Sequence, residues 1–358
     1  MPEKKKQHYV SQFLLRNFSI PDKPKLINLH NLSKGKTVEG IAIKNQAQES
    51  FYYGNDLTFE NFLGHTEKKV SHLIKSIIDK EELPKYRDKA YAGLLHFIML
   101  YSFRTKANVD RTEEGINEAV KKLSKYVKEL ENIDFEKYRI KHPEPAAYNL
   151  ASYMDNWVVT YDLDSVLLVN KTDKPFIISD NPLVQYNPFM LKRELYGIAG
   201  GLINKGLILF FPLSPEYCFM MYDSSAYVAN ESERKIEISR AQDIYNLNTL
   251  HAIGANENIF FSEITHSDYV NQVAEQGASY REKRHINEVL AHPEDSNRIQ
   301  FLTYYVEHRA ILNLSFLSEN PLNSNVSDIQ ILSTPRNKEI EDWVRMNKSK
   351  LWNNKNID

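Results

Sequence analysis

The feature that most narrows the fold is a change of period along the chain. Over residues 58–131 apolar side chains recur at helical spacing. In FENFLGHTEKKVSHLIKSII, Phe59, Phe62, Leu63, Val70, Leu73, Ile74 and Ile77 lie largely on one face. From Asp164 the pattern becomes short β-branched or aromatic runs, SVLLVNK, PFIISD, GLILFFPL and YCFMMYD, punctuated by Pro, Asn and Gly. Several are apolar on both faces, which places them within a covered sheet. Helices segregated from strands predict an α+β fold: an N-terminal helical layer packed on a mixed or antiparallel central sheet.

Local signals fill in the order. Two short strands at residues 26–32 and 38–44, joined by SKGK, predict a hairpin. Pro84 is expected to open the next helix, with others from Asn108, over 145–159, over 239–255 and over 267–283, and a strand at 259–261. We expect a main domain at 1–283 and an appendage at 284–358. The appendage is expected to pack through Phe301, Tyr304, Leu312 and Phe316 and to close with a helix over 337–352. Its apolar density is too high for a disordered tail.

Charge and cysteine content exclude several functions. With 45 basic against 47 acidic residues, no whole-molecule field draws the chain to nucleic acid or an acidic membrane. Cys218, the single cysteine, sits inside an apolar run and reads as a buried thiol. The longest apolar stretch, residues 90–103, is too short to span a bilayer. A soluble, cytoplasmic protein without membrane partners is the expectation.

Familiar motifs mostly fail. HNLSKGKT ends like a phosphate-binding loop, but His30 stands where the first Gly is needed and a strand follows where a helix is required. GIAGG lacks the strand and helix of a dinucleotide fingerprint and reads as a mobile loop. His65 and His72 share a helix face but lie about 10 Å apart along the axis, which suits solvated histidines better than one metal. The sequence assigns no metal site and no cofactor.

The most informative polar pattern is at the start. In KKKQHYVSQFLLRNFS, a helix over residues 8–18 would place His8, Gln12 and Arg16 within about 80° of one another, opposite Tyr9, Val10, Phe13, Leu14 and Phe18. The stripe reads either as the wet face of an amphipathic helix or as a titrating group, an amide and a cation suited to an anionic ligand.

QHYVSQFLLRNFS resembles the N-terminal signature of an uncharacterised, largely bacterial family, domain of unknown function 4238. The likeness continues through SFYYGND ahead of a helix bearing Glu60 and Glu67, then SFRTK, FIISDNPLV, FFPLSPE, and Asn246 ahead of IFFS, spanning about residues 5–265. It departs at Ser11 and Lys106, where the family usually has Pro. The resemblance implies that His8, Gln12, Arg16, Arg104, Asp180 and Asn181 are the polar residues of the matching blocks. On that footing His8 and Asp180 are the candidate catalytic pair, with His8 as general acid or base, and Gln12, Arg16, Arg104 and Asn181 are candidate binding residues. His8 and Gln12 are then expected to face the loop that carries Asp180. The expected partner is a small anionic ligand or nucleic acid. The expected activity is hydrolysis of a phosphodiester or nucleotide, nuclease-like, of a kind that serves bacterial defence or toxin systems. The competing expectation is a sensing or interaction domain in which these residues form a structural polar network.

Overall fold

The computed structural model describes residues 5–130, 132–153, 156–196, 199–291 and 300–323, and the single positions 327, 336 and 342. The chain opens with β1 (Lys6–His8) and the one-turn α1 (Gln12–Arg16), then the hairpin β2 (Leu26–Asn31) and β3 (Lys36–Ala42), and β4 (Gln48–Ser50). Three long helices follow, α2 (Thr58–Lys80), α3 (Lys89–Arg104) and α4 (Lys106–Leu123), and then α5 (Pro145–Tyr153). The strand-rich half comprises β5 (Asp164–Asn170), β6 (Ile178–Ser179), β7 (Val184–Tyr186), the short α6 (Pro188–Leu191), β8 (Ile208–Pro212), β9 (Tyr217–Tyr222), β10 (Tyr227–Ala229) and β11 (Lys235–Ile238). It continues with α7 (Ala241–Gly254), β12 (Asn258–Phe261), α8 (Ser267–Tyr280), β13 (Arg281–Ala291), β14 (Gln300–His308) and β15 (Leu317–Glu319).

The central five-stranded sheet has the order β11-β5-β9-β8-β7. It is antiparallel except for the parallel β11-β5 pair. A four-stranded antiparallel sheet, β3-β2-β12-β6, joins the N-terminal hairpin to strands of the second half. The fold is therefore α+β with a mixed sheet. The runs expected to be covered on both faces are so: Val166–Val169, Ile208–Phe211 and Cys218–Met221 are all buried. α3 is buried along nearly its whole length from Tyr91 to Arg104, because its apolar residues surround the helix and α2, α4 and α5 pack around it.

Several boundaries differ from expectation, each for a local reason. The predicted helix over 8–18 forms only at Gln12–Arg16; residues 6–8 pair antiparallel with residues 48–50 instead. Ser11 has an extended backbone (ψ 131°), and the Tyr9 and Val10 N–H groups both donate to the Ala47 carbonyl. That pairing, invisible to helical periodicity, satisfies the backbone before the helix can start. α3 begins at Lys89 and not near Pro84, because the Asp88 carboxylate caps it by accepting from the Tyr91 N–H at 2.7 Å. α5 ends at Tyr153, ahead of a 3-10 turn at Asn156–Thr160, and α8 ends at Tyr280, where β13 begins. The expected hairpin forms, with Gly35 at φ +57° in its turn.

Beyond residue 283 the chain pairs β13 with β14 and β15 with β10. It contributes Leu314 and Phe316 to the main core and packs Leu312 against it. Phe301 carries no described side chain, Tyr304 is half-buried, and the helix expected over 337–352 lies, apart from position 342, outside the described residues. Two of the five residues of GIAGG, 197 and 198, also lie outside them. Cys218 is buried, and burial pushes its thiol pKa up, as a core thiol requires. His65 and His72 are exposed on α2. Among the described residues no helix is long and apolar enough to cross a membrane, and no group of His, Cys, Asp or Glu is placed to hold a metal ion.

Candidate functional site

α1 and α2 approach each other beside the C-terminal end of α3 and leave a cavity of about 290 Å³. His8, Gln12, Arg16 and Arg104 line it, together with Glu60, Glu67 and Lys68 of α2. The opening stripe therefore converges although it does not lie on one helix. β1 projects His8, and α1 presents Gln12 and Arg16 one turn apart, where the Arg16 guanidinium donates to Gln12 Oε1 at 3.1 Å.

Arg104 anchors the base of this region. Its side chain is 1 % exposed and donates to Glu67 Oε1 at 3.0 Å, to the His8 carbonyl at 2.8 Å and to the Tyr53 hydroxyl at 3.2 Å. Burial alone would make the guanidinium easier to deprotonate, but Tyr53, Glu67 and Tyr101 around it reverse this and hold it charged. Glu67 Oε1 also accepts from Ser11 Oγ at 2.7 Å, and Ser11 Oγ lies 2.6 Å from the Tyr101 hydroxyl. The side chain of Gln7 is fully buried. It donates to the Gly54 carbonyl and accepts from the Tyr53 N–H, which ties β1 to the turn after β4. These bonds pin the N-terminal segment onto the helices through main-chain groups and buried side chains.

His8 is held by its backbone and leaves its ring at the cavity. The ring Nε2 donates to the Lys44 carbonyl at 3.2 Å, so in the neutral ring Nδ1 keeps its lone pair. Burial lowers the ring pKa, with Arg104 and Arg16 acting in the same direction and the Lys44 carbonyl and Glu67 opposing. Arg16 and Lys68 are both exposed, and neither makes an ion pair among the described residues.

Asp180 and Asn181 lie elsewhere. Asp180 is 1 % exposed, and its carboxylate accepts from the N–H groups of Asn256, Glu257 and Asn258 at 2.7, 2.8 and 2.9 Å. It thereby fastens the turn between α7 and β12. Burial pushes its pKa up to about 6 against the pull of those three donors. Asn181 donates to the Gly254 carbonyl and accepts from Thr105 Oγ1 and Asn108 Nδ2, joining the α3–α4 junction to the end of α7. The expected His8–Asp180 contact does not form. The partner of the His8 ring is the Lys44 carbonyl, Asp180 does not line the cavity, and its donors come from the backbone. The physical reason is that the turn at 256–258 offers three N–H groups and takes up the whole carboxylate. Glu67 was missed as a site residue; its position on the helix that follows SFYYGND was the available signal.

A family model described as "Protein of unknown function (DUF4238)" matches residues 6–265. The chain belongs to this family. Comparisons with curated proteins and with solved structures find no match. The DUF4238 region ends just before α8, so all of the cavity at α1 and α2 falls within it. The two departures at usual proline positions have backbone that would accept that residue. Ser11 sits at φ −59°, while Lys106 is the first residue of α4 and follows Thr105 at ψ 153°. Here Ser11 uses what proline lacks, donating its N–H to the Tyr101 hydroxyl at 3.2 Å as well as its Oγ to Glu67.

Proposed function

We propose that the cavity between α1 and α2 binds a small anionic ligand, with a phosphate ester the best-fitting chemistry, and that this DUF4238 chain is a ligand-binding protein. The observation that carries this reading is the state of the charges around the cavity. Three cations, Arg16, Lys68 and Arg104, stand against two carboxylates, Glu60 and Glu67. Glu67 is bound to Arg104 and Ser11, while among the described residues Arg16 and Lys68 have no ion-pair partner. Two exposed cations and the Gln12 amide then supply the donors that an anion's oxygens need. Arg104 serves this site by holding its wall, through its bonds to Glu67 and the His8 carbonyl.

One observation favours a further step to hydrolysis. With Nε2 donating to Lys44 and burial keeping the ring neutral, His8 Nδ1 has the lone pair of a general base. On that reading, for a phosphodiester or nucleotide, His8 takes a proton from a water whose oxygen bonds to phosphorus as the P–O bond to the leaving group breaks. The leaving oxygen takes a proton from the His8 ring or from solvent, and Arg16 and Lys68 hold the phosphate oxygens. No second carboxylate needs to orient the ring, because the Lys44 carbonyl does so.

The test is calorimetry of the full chain with inorganic phosphate and a panel of nucleotides, alongside the Arg16→Ala/Lys68→Ala variant. Binding that is lost in the variant while the melting temperature is kept supports the proposal; a wild-type protein that binds none of the panel overturns it. Turnover of RNA, DNA and nucleotides, with and without divalent metal, then separates the two readings. Hydrolysis lost in His8→Ala with binding retained establishes catalysis. Binding without turnover leaves a sensor.

A further inference from the structure

A larger cavity, about 430 Å³, opens where β14, outside the DUF4238 match, meets α3, α4 and β7 within it. Its volume falls in the range of small-molecule sites. Three polar groups on its lining lack partners in the described protein. Ser102 Oγ on α3 is buried without a hydrogen bond. The Gln185 amide on β7 is half-buried and makes none. The Glu307 carboxylate on β14, also half-buried, makes no hydrogen bond or close ion pair among the described residues, although the Arg281 and Lys283 charges attract it. A buried polar group left in this state is costly, and the convergence of buried Ser102 with two half-buried polar side chains on one cavity points to a ligand that completes them.

The neighbouring groups indicate the shape and edges of that ligand. The Ala310 N–H donates to His308 Nδ1 at 3.1 Å, which places the proton of the neutral ring on Nε2, a donor with no partner among the described residues. Arg111 lies over the Tyr305 ring at 5.0 Å and donates to Asn108 Oδ1, so its guanidinium plane is held in place at the cavity wall. A fixed guanidinium plane is a surface on which flat heterocycles stack. Tyr196 and Leu202 add apolar wall.

We propose that this cavity binds the base of a purine nucleoside or nucleotide, with the ring stacked on Arg111 and its edges met by Gln185, Glu307 and His308. The mixture of one pure acceptor, one pure donor and one amide that is both suits a base edge carrying N–H donors beside a carbonyl, as guanine presents. The site is independent of the phosphate cavity at α1 and α2: it shares no lining residue with it, and it requires the chain beyond residue 265.

Calorimetry of the full chain with guanosine, GMP, adenosine and cytidine tests this. We expect guanosine and GMP to bind, and Glu307→Gln and Gln185→Ala each to weaken guanosine by about tenfold or more while the melting temperature stays near wild type. Should either variant unfold, Arg111→Lys provides the same test through loss of the planar stack. GMP binding with no guanosine binding would mean that a phosphate and not a base is recognised, and would overturn the proposal. So would binding of guanosine that is unchanged in all three variants, or no binding of any purine. Arg16→Ala/Lys68→Ala should leave guanosine binding intact, so failure at one cavity is readable separately from failure at the other.

Discussion

Replacing Arg104 by Met separates architecture from ligand contact at the α1–α2 site. The guanidinium is 1 % exposed and satisfies three acceptors at once, Glu67 Oε1, the His8 carbonyl and the Tyr53 hydroxyl. Methionine fills much of the volume but strands a carboxylate and a carbonyl. Breaking a buried ion pair by removing one partner costs about 3–5 kcal/mol. Here Glu67 keeps its bond to Ser11 and is 24 % exposed, so the carboxylate is partly rehydrated and the lower end applies. The His8 carbonyl adds about 1 kcal/mol, softened because the Tyr53 hydroxyl remains 3.4 Å away. The expected total is about 3–4 kcal/mol, read as the shift in urea midpoint at constant slope. A cycle with Glu67→Gln should show a coupling of about 1–3 kcal/mol. An Arg104→Met protein with a wild-type midpoint and no phosphate binding would refute the reasoning, because Arg104 would then be a ligand contact and not a structural anchor.

Three further outcomes are expected. His251 on α7 is buried with both ring nitrogens unpartnered among the described residues, and burial lowers its pKa to about 3. The native state then binds fewer protons than the unfolded state below about pH 6.5, so stability is full above that pH and falls by about 1.4 kcal/mol per unit of acidification toward pH 3; His251→Phe should flatten the slope, and equal slopes from urea melts between pH 7 and 4.5 would count against it. Lys106→Pro, at the first position of α4, should change stability by less than about 1 kcal/mol, whereas Ala119→Pro inside the same helix should cost about 3 kcal/mol; equal melting temperatures would contradict the assignment of that helix start. A chain ending at Lys283 removes buried Leu314 and Phe316 and the partner strand of β10, a loss of about 1.5–3 kcal/mol per side chain, so a truncated protein as soluble and heat-stable as the full chain would show that the later residues add nothing to the core.

The regular parts of the fold were legible because their signals are local. Runs such as GLILFFPL and YCFMMYD are apolar on both faces and could belong only to a covered sheet, and SKGK marks its turn by composition. The N-terminal segment misled because His8, Gln12 and Arg16 keep a helical interval, while the bonds that hold residues 9 and 10 extended come from Ala47. Of the site, His8, Gln12, Arg16 and Arg104 do meet at one cavity. The role of Asp180 depended on three N–H groups in a turn more than seventy residues downstream, which no reading of FIISDNPLV contains. The cavity at β14 was likewise hidden, because Ser102, Gln185 and Glu307 belong to three distant stretches that share no motif.

The grip on residue 8 is exerted through its carbonyl oxygen, which takes the Arg104 bond, while the imidazole hydrogen-bonds the Lys44 carbonyl and faces the cavity. Every amino acid owns that carbonyl. Position 8 can therefore change its side chain without loosening the anchor of the N-terminal strand, and selection at this one position is free to act on what the cavity recognises, while folding is safeguarded by atoms that mutation does not alter.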